Sequence, residues 1–340
     1  MQLAFETGLG KAFIGDSLDL LESLDNGSVN LVITSPPFAL QRKKNYGNAD
    51  QSEYVEWLGR FARLVHSKLR DDGSFVLDIG GAYHKGVPVR SLYNFRVAID
   101  FCDNLGFFLA QDFYWFSPSK LPSPIEWVNK RKLRAKDAVN NVWWFSKTEW
   151  PKADVSKVLV EYSARMKKLL SNPDAFYSPA KRPSGHDISK SFGRDNKGAI
   201  PSNLIQISNS ESNGQYLRGC KAVGIKGHPA RFPTKLPEFF IRFLTDPGDL
   251  VVDIFGGSCT TGQVAEVEGR RWITCDLVPE YVAAGAFRFL PEFNESKAKT
   301  IFDDIARGAG AQISGSTKMR QETLPYLDEK PRIGSERSSL

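Results

Sequence analysis

Short apolar runs that do not alternate with polar residues punctuate the chain at 29–33, 74–79, 107–116, 142–145, 250–254 and 272–275. A strand with one wet face alternates; a strand covered on both faces does not. The runs therefore predict buried strands of a parallel sheet. Between them the period changes. EYVEWLGRFARLVHSKL, residues 53–69, spaces Tyr54, Leu58, Phe61, Val65 and Leu69 by three and four, which predicts an amphipathic helix. Residues 90–105 predict another, closed by Gly106 as a C-terminal cap. Strands alternating with helices predict a doubly wound α/β fold around a mostly parallel sheet.

The pattern lapses between 151 and 226, a polar segment rich in Gly, Pro, Ser and Asn and too long for a simple loop. It predicts an inserted module. From 307 to 340 the chain is Gly-, Ser- and charge-rich without apolar periodicity, which predicts a disordered tail. Charge sharpens the first of these boundaries. The chain carries a net +6, yet 151–226 alone holds 13 Lys/Arg against 6 Asp/Glu, so the whole basic excess sits in the insert. Such a concentration fits a polyanionic partner, or simply a solvated basic face. The four cysteines and four histidines are scattered, without CxxC or HxxxH spacing, so a disulfide framework or a metal site is not expected. No apolar stretch approaches membrane-spanning length and no signal-peptide pattern opens the chain, so a cytoplasmic location without membrane contact is expected.

Two stretches carry chemistry. DLVVDIFGGSCTTGQVAEVEGRRWITCD, residues 249–276, runs strand, glycine turn, helix, strand, acidic residue. Gly256 and Gly257 let backbone approach a ligand, and Asp276 ends the second strand, where a carboxylate can accept hydrogen bonds from ribose hydroxyls. The dinucleotide fingerprint GxGxxG is out of register, which argues against a pyrophosphate. The second stretch is LVITSPPFALQRKK, residues 31–44, a buried strand stopped by two prolines, an aromatic ring and a burst of positive charge. Each proline removes a backbone donor and stiffens the turn.

Together these stretches resemble the motifs of S-adenosylmethionine-dependent DNA amino-methyltransferases. Asp253, Phe255, Gly256, Gly257, Ser258, Thr260 and Thr261 match the cofactor loop, while Ser35, Pro36, Pro37 and Phe38 match the [Ser/Asp/Asn]-Pro-Pro-aromatic hallmark. The catalytic motif precedes the cofactor loop and the basic insert lies between, the order of the beta class. GDSLDLL resembles the segment contacting the cofactor adenine, through Asp16 and Ser17. HPARFPTKLPEFFIRFLT resembles the segment against its methionine end, through His228, Pro229, Phe232 and Lys235. Several stretches are most similar to the PvuII-type, cytosine-N4-specific members of type II restriction–modification systems. If the target is also shared, it is a CAGCTG palindrome.

What the resemblance implies is chemically coherent. A base amine is a poor nucleophile because its lone pair is delocalised into the ring. The Ser35 hydroxyl and Pro36 carbonyl accept its two hydrogens and free that lone pair for the sulfonium methyl, leaving S-adenosyl-L-homocysteine. Phe38 gives a face for stacking, and the base must leave the duplex to arrive there. Serine rather than aspartate at 35 favours cytosine N4 over adenine N6. No cysteine follows a proline, so C5 methylation is excluded. Asp78, ending a strand, either contacts the reacting groups or caps its own turn. Trp143 and Trp144 are expected in the core. His228 is not expected to act as a base, since water can take the acidic proton of the methylated amine.

For double-stranded DNA, Arg42, Lys43, Lys44, Lys130 and Arg131 are candidate phosphate contacts, and Arg182, His186, Lys190, Arg194 and Asn196 candidate base readers. The implied division is a catalytic half, 1–150, a target-recognition insert, 151–226, and a cofactor-binding half, 227–306. A monomer is sufficient, with a cognate restriction endonuclease as functional rather than physical partner. Two other readings stand beside this one: adenine-N6 methylation, and a catalytically silent DNA-binding regulator that would have lost the Pro-Pro turn, the glycine loop or the acidic ribose contact.

Overall fold

The computed structural model describes residues 1–39, 51–172, 194–209 and 214–313. A mixed ten-stranded sheet organises most of them. Its strands in chain order are β1 (Gln2–Glu6), β2 (Gly10–Ile14), β3 (Val29–Thr34), β4 (Leu69–Ile79), β5 (Phe108–Phe116), β6 (Val139–Ser146), β7 (Leu204–Gln206), β8 (Leu250–Asp253), β9 (Arg271–Asp276) and β10 (Ala311–Gln312). The spatial order is β10-β1-β2-β9-β8-β3-β4-β6-β5-β7. β3 has all six residues buried and β8 all four, as expected of central strands without alternation.

The helices are α1 (Ser17–Ser23), α2 (Tyr54–Lys68), α3 (Tyr93–Asp103), α4 (Ala164–Ser171), α5 (Gln215–Ala222), α6 (Lys235–Leu244), α7 (Thr260–Val267), α8 (Pro279–Gly285) and α9 (Glu295–Ala306). The predicted face of α2 is the buried one: Tyr54, Leu58, Phe61 and Val65 pack into the core with α1, α3 and the sheet. Each such side chain contributes about 1.5–3 kcal/mol on burial. α3 ends at Asp103, and Gly106 takes a φ of 80° as the chain turns back. Consecutive residues of β6 show that both faces are covered. Trp143 meets Phe95 of α3, whereas Trp144 meets Phe243 of α6. Both tryptophans are core, and the fold is doubly wound.

The parallel expectation needs correction toward both edges of the sheet, and at one of them β1 runs antiparallel to β2. β6 runs antiparallel to both β4 and β5, and the first half of β5 is exposed rather than buried. β1, β2, β7 and β10 are short or amphipathic and hold no long continuous apolar run. β10 lies within the stretch expected to be tail: Ala311 and Gln312 pair in parallel with Phe5 and Glu6. The described residues divide into two compact units, 1–153 with 203–313, and 154–172 with 194–202. Residues 203–226 thus belong with the sheet, because β7 extends β5 there.

Within the smaller unit, Asp154 caps the turn Val155–Val158 through Ser156 N at 2.9 Å, and Ser163 caps α4 through Met166 N at 3.2 Å. Val158 and Leu159 are buried, and Val160 bridges Ala199. Among the described residues no helix is long and apolar enough to cross a membrane.

Candidate active site

The chain leaves β3 for β4 on one side and β8 for β9 on the other, yet β3 and β8 are neighbours. Loops from adjacent strands that diverge in this way open a crevice at the carboxyl edge of a sheet. A cleft of about 1380 Å³ occupies that place, and both chemical stretches line it.

The glycine loop follows β8. Asp253, at the end of that strand, is buried and accepts three hydrogen bonds. Thr34 Oγ1 donates to its Oδ1 and Thr261 Oγ1 to its Oδ2, both at 2.6 Å, and Phe255 N reaches Oδ1 at 3.2 Å. Burial pushes its carboxyl up to about 6 against these donors. Asp253 therefore ties β3, α7 and the loop together at the wall of the cleft. Gly256 packs so tightly that a Cβ would stand 1.8 Å from Thr274 Oγ1. Gly257 adopts a φ of 47°, a left-handed conformation that favours glycine, with the His228 ring close above it. Its amide donates to Asp276 Oδ2 at 2.8 Å, while Val278 N donates to Oδ1 at 3.0 Å. Burial raises the Asp276 carboxyl, and these amides oppose that. Each carboxylate oxygen keeps a second lone pair for a ligand hydroxyl.

The proline turn follows β3. Ser35 Oγ donates to Asp78 Oδ2 at 3.0 Å, and Asp78 ends β4 beside it. Tyr54 holds the turn from below, its hydroxyl donating to Pro37 O at 2.9 Å. No described donor bonds the Pro36 carbonyl. The Phe38 ring lies on Gly80, where a Cβ would stand 2.5 Å from Cε2, and Tyr93 OH donates to the Gly80 carbonyl. Asp78 is 3% exposed, and burial pushes its carboxyl up to about 6, opposed by Asn140, Ser35 and Lys120. It reaches the Ser35 hydroxyl of the neighbouring turn.

Most of the residues chosen from sequence meet here. Ser35, Pro36, Pro37, Phe38, Asp78, Asp16, Ser17, His228, Pro229, Phe232, Asp253, Phe255, Gly256, Gly257, Ser258, Thr260 and Asp276 line the cleft. Lys235 and Thr261 do not. Lys235 heads α6, and Thr261 is turned inward onto Asp253. Ser17 donates to the Ile254 carbonyl, so its hydroxyl braces the loop; Asp16 caps α1 at Leu18 N, 2.9 Å, from an exposed position. Lys130 and Arg131 lie outside the lining, paired with Glu126 at 3.3 and 3.0 Å. Their neighbours Glu126 and Trp127 line it. Arg194 is exposed in the smaller unit. Arg42, Lys43, Lys44, Arg182, His186 and Lys190 lie outside the described residues.

Several lining residues had no sequence signal. Trp57 and Phe61 of α2 pack on Phe255, with ring centroids 5.7 and 5.1 Å away, and form an aromatic wall. Asn140 donates to Asp78 Oδ1 at 3.1 Å, and Lys120 donates to Asn140 Oδ1 at 3.1 Å. The arrangement can hold a nucleoside against the glycine loop and, beside it, a planar ring bearing an amine.

The DNA methylase family profile for N6 and N4 methyltransferases matches residues 29–287. The chain is similar to the type II methyltransferase M.PvuII of Proteus hauseri, 66% identical over 312 residues that cover 92% of this chain and 93% of that one. It is also similar to the type II methyltransferase M.BglII of Bacillus subtilis, at 24% identity over 95% of this chain and 82% of that one. Among solved structures, the PvuII DNA methyltransferase, described as cytosine-N4-specific, superimposes with a TM-score of 0.74 at 57% identity, covering 93% of this chain and 98% of that one. A DNA modification methylase from Thermus thermophilus, solved with S-adenosyl-L-methionine, shares the fold at 19% identity and a TM-score of 0.50, covering 90% and 98% of the two chains.

Proposed function

Since the chain belongs to the N6/N4 DNA methylase family, we propose that it methylates the N4 amine of a cytosine flipped out of duplex DNA, using S-adenosyl-L-methionine. The hydrogen bond between Ser35 and Asp78, on the rim of a cleft whose far wall is the glycine loop, carries the reading. The donors and the two glycines fit the cofactor: the cleft wall is bare backbone at 256 and 257, and Asp276 keeps acceptor capacity for ribose hydroxyls. When bound, S-adenosyl-L-methionine supplies an electrophilic methyl carbon on a sulfonium.

The chain's own task is to present the amine. Ser35 donates its hydroxyl hydrogen bond to Asp78, so its lone pairs face outward and accept one amine hydrogen. The Pro36 carbonyl accepts the other. Tyr54 and the two prolines hold both acceptors still, so little reorganisation is needed at the moment of reaction. Phe38, seated on Gly80, offers its face to the ring. As the methylated amine turns acidic, its proton passes to Ser35 while the Ser35 proton moves onto Asp78, whose raised carboxyl suits it to receive one.

The finer parts of the reading are a CAGCTG target, protection from a cognate endonuclease, action as a monomer in the cytoplasm, and base reading by the basic segment within 151–226. Nucleoside mass spectrometry of CAGCTG and scrambled duplexes after incubation with the protein tests the target and the base together. N4-methylcytosine confined to CAGCTG is expected. N6-methyladenine overturns the base assignment, and no methylated nucleoside overturns the function.

A further inference from the structure

Lys120 stands in the turn after β5, half-buried, with its backbone amide bonded to Ser117 O at 3.2 Å. An ammonium has donors and no acceptor. Its bond to Asn140 Oδ1, at 3.1 Å, therefore fixes which way that amide faces, because the flipped amide would set two donors against each other. Asn140 Nδ2 is left toward Asp78, at 3.1 and 3.5 Å from its two oxygens. Facing that donor, Asp78 must accept, and the Ser35 hydroxyl donates to it from the other side at 3.0 Å. One cation thus orders three side chains, and the last of them is the group that must accept a hydrogen of the amine.

We propose that Lys120 is a positioning residue for methyl transfer: acting through Asn140, it fixes the polarity of the hydrogen bonds on Asp78 and keeps the Ser35 proton turned away from the amine. This rests on the amino-methyltransferase reading of the site. Without Lys120 the Asn140 amide is free to turn its oxygen to Asp78. Two acceptors then meet unless Asp78 takes a proton, and a protonated Asp78 no longer holds the Ser35 hydroxyl as donor. Proton uptake and loss of catalytic geometry become one event.

The other groups around Asp78 do not substitute for this cation. Tyr54 of α2 and Tyr93 of α3 face it, and burial pushes both hydroxyls up, so they stay neutral. Arg90 and Asp137 influence Lys120 in opposite senses, and they are paired with each other at 3.1 Å. Burial lowers the Lys120 ammonium, whereas Asp78 and Asp137 sustain its charge.

The test compares single-turnover methylation of a CAGCTG duplex between pH 5 and 9 in the wild type, Lys120→Met, Lys120→Arg and Asn140→Asp. A parallel measurement follows the Asp78 carboxyl by ¹³C NMR, assigned with Asp78→Asn. In Lys120→Met the acidic limb of the rate and the Asp78 titration should both move up by about one pH unit or more, a roughly tenfold loss on that limb that fades at high pH. Lys120→Arg, another donor-only cation, should restore most of the wild-type profile. Asn140→Asp, which sets a second carboxylate against Asp78, should shift the limb at least as far.

A uniform loss of rate in Lys120→Met, with the limb and the carboxyl titration unmoved, overturns the proposal. If circular dichroism shows that variant unfolded, an unmoved limb in Asn140→Asp overturns it instead. A wild type that yields no N4-methylcytosine overturns the underlying function, while the Asp78 titration still decides whether Lys120 governs that carboxyl.

Discussion

Replacing Gly256 with alanine puts the cofactor loop to a quantitative test. The added Cβ would lie 1.8 Å from Thr274 Oγ1, 3.1 Å from Thr274 Cβ and 3.4 Å from the Cys275 carbonyl. Comfortable contact begins near 3.5 Å, so one side must yield by about 1.5 Å or more. Neither side is loose. Thr274 Oγ1 donates to the Asp253 carbonyl at 3.2 Å, and Gly256 N donates to Cys275 O at 2.9 Å. Overpacking of this kind costs about 1–3 kcal/mol. Charged wholly to the bound state, that is a loss of about 5–150-fold in affinity. Titration calorimetry with S-adenosyl-L-homocysteine measures it, and a thermal melt shows how much falls on the fold. Adding Thr274→Ala removes the 1.8 Å contact and leaves the one at 3.1 Å, which a small shift relieves. The double variant should therefore bind better than Gly256→Ala alone. Wild-type affinity and stability in the single variant, or no recovery in the double, would refute the steric account of this glycine.

Activity should fall roughly tenfold per pH unit below about 6 as Asp78 takes a proton, and a pH–rate profile checks this. The same raised value means that ionised Asp78 costs stability above about pH 6, a cost that fades as pH falls through that value toward 3.8. Tyr54→Phe, losing the bond to Pro37 O, should destabilise by about 0.5–1.5 kcal/mol in urea and lower kcat more than it raises the KM for S-adenosyl-L-methionine. Phe38→Ala should weaken binding of a target duplex by about 1–3 kcal/mol in a fluorescence titration, leaving cofactor affinity in place. Arg242 meets Glu268 through two bonds of 2.9 Å away from the cleft, so Arg242→Met should cost about 3–5 kcal/mol in urea without changing kcat at low temperature.

The residues that sequence could and could not supply differ in a physical way. β3, β8, β9 and the second half of β4 hold apolar runs, and the turns that end them carry prolines, glycines and carboxylates that stand out against that background. Hence Ser35, Phe38, Asp78, Gly256, Gly257 and Asp276 were legible in order along the chain. Asn140 was not, because it becomes part of the site only through the antiparallel course of β6. That course carries the beginning of β6 to the edge where β4 ends, and no apolar run reveals strand direction. Lys120 sits in a Ser- and Pro-rich turn, SPSKLPSP, whose composition marks a loop but no chemistry, and Trp57 and Phe61 follow the same helical spacing as their core neighbours. The motif marks Asp253, and what sequence does not reveal is that it binds Thr34 and Thr261 as well. β10 was hidden because two residues are too few to show a period.

The position of Asp253 has a thermodynamic corollary. Through Thr34 it grips the strand residue that immediately precedes Ser35, and through Phe255 N and Thr261 it grips the loop and helix on the other side. A single rivet thus joins the seat of one substrate to the seat of the other. Stiffening carried through that rivet from one side to the other would, by linkage, be mutual. Duplex and methyl donor should each tighten the other's hold by the same factor, and loosening the rivet should uncouple them before it abolishes either.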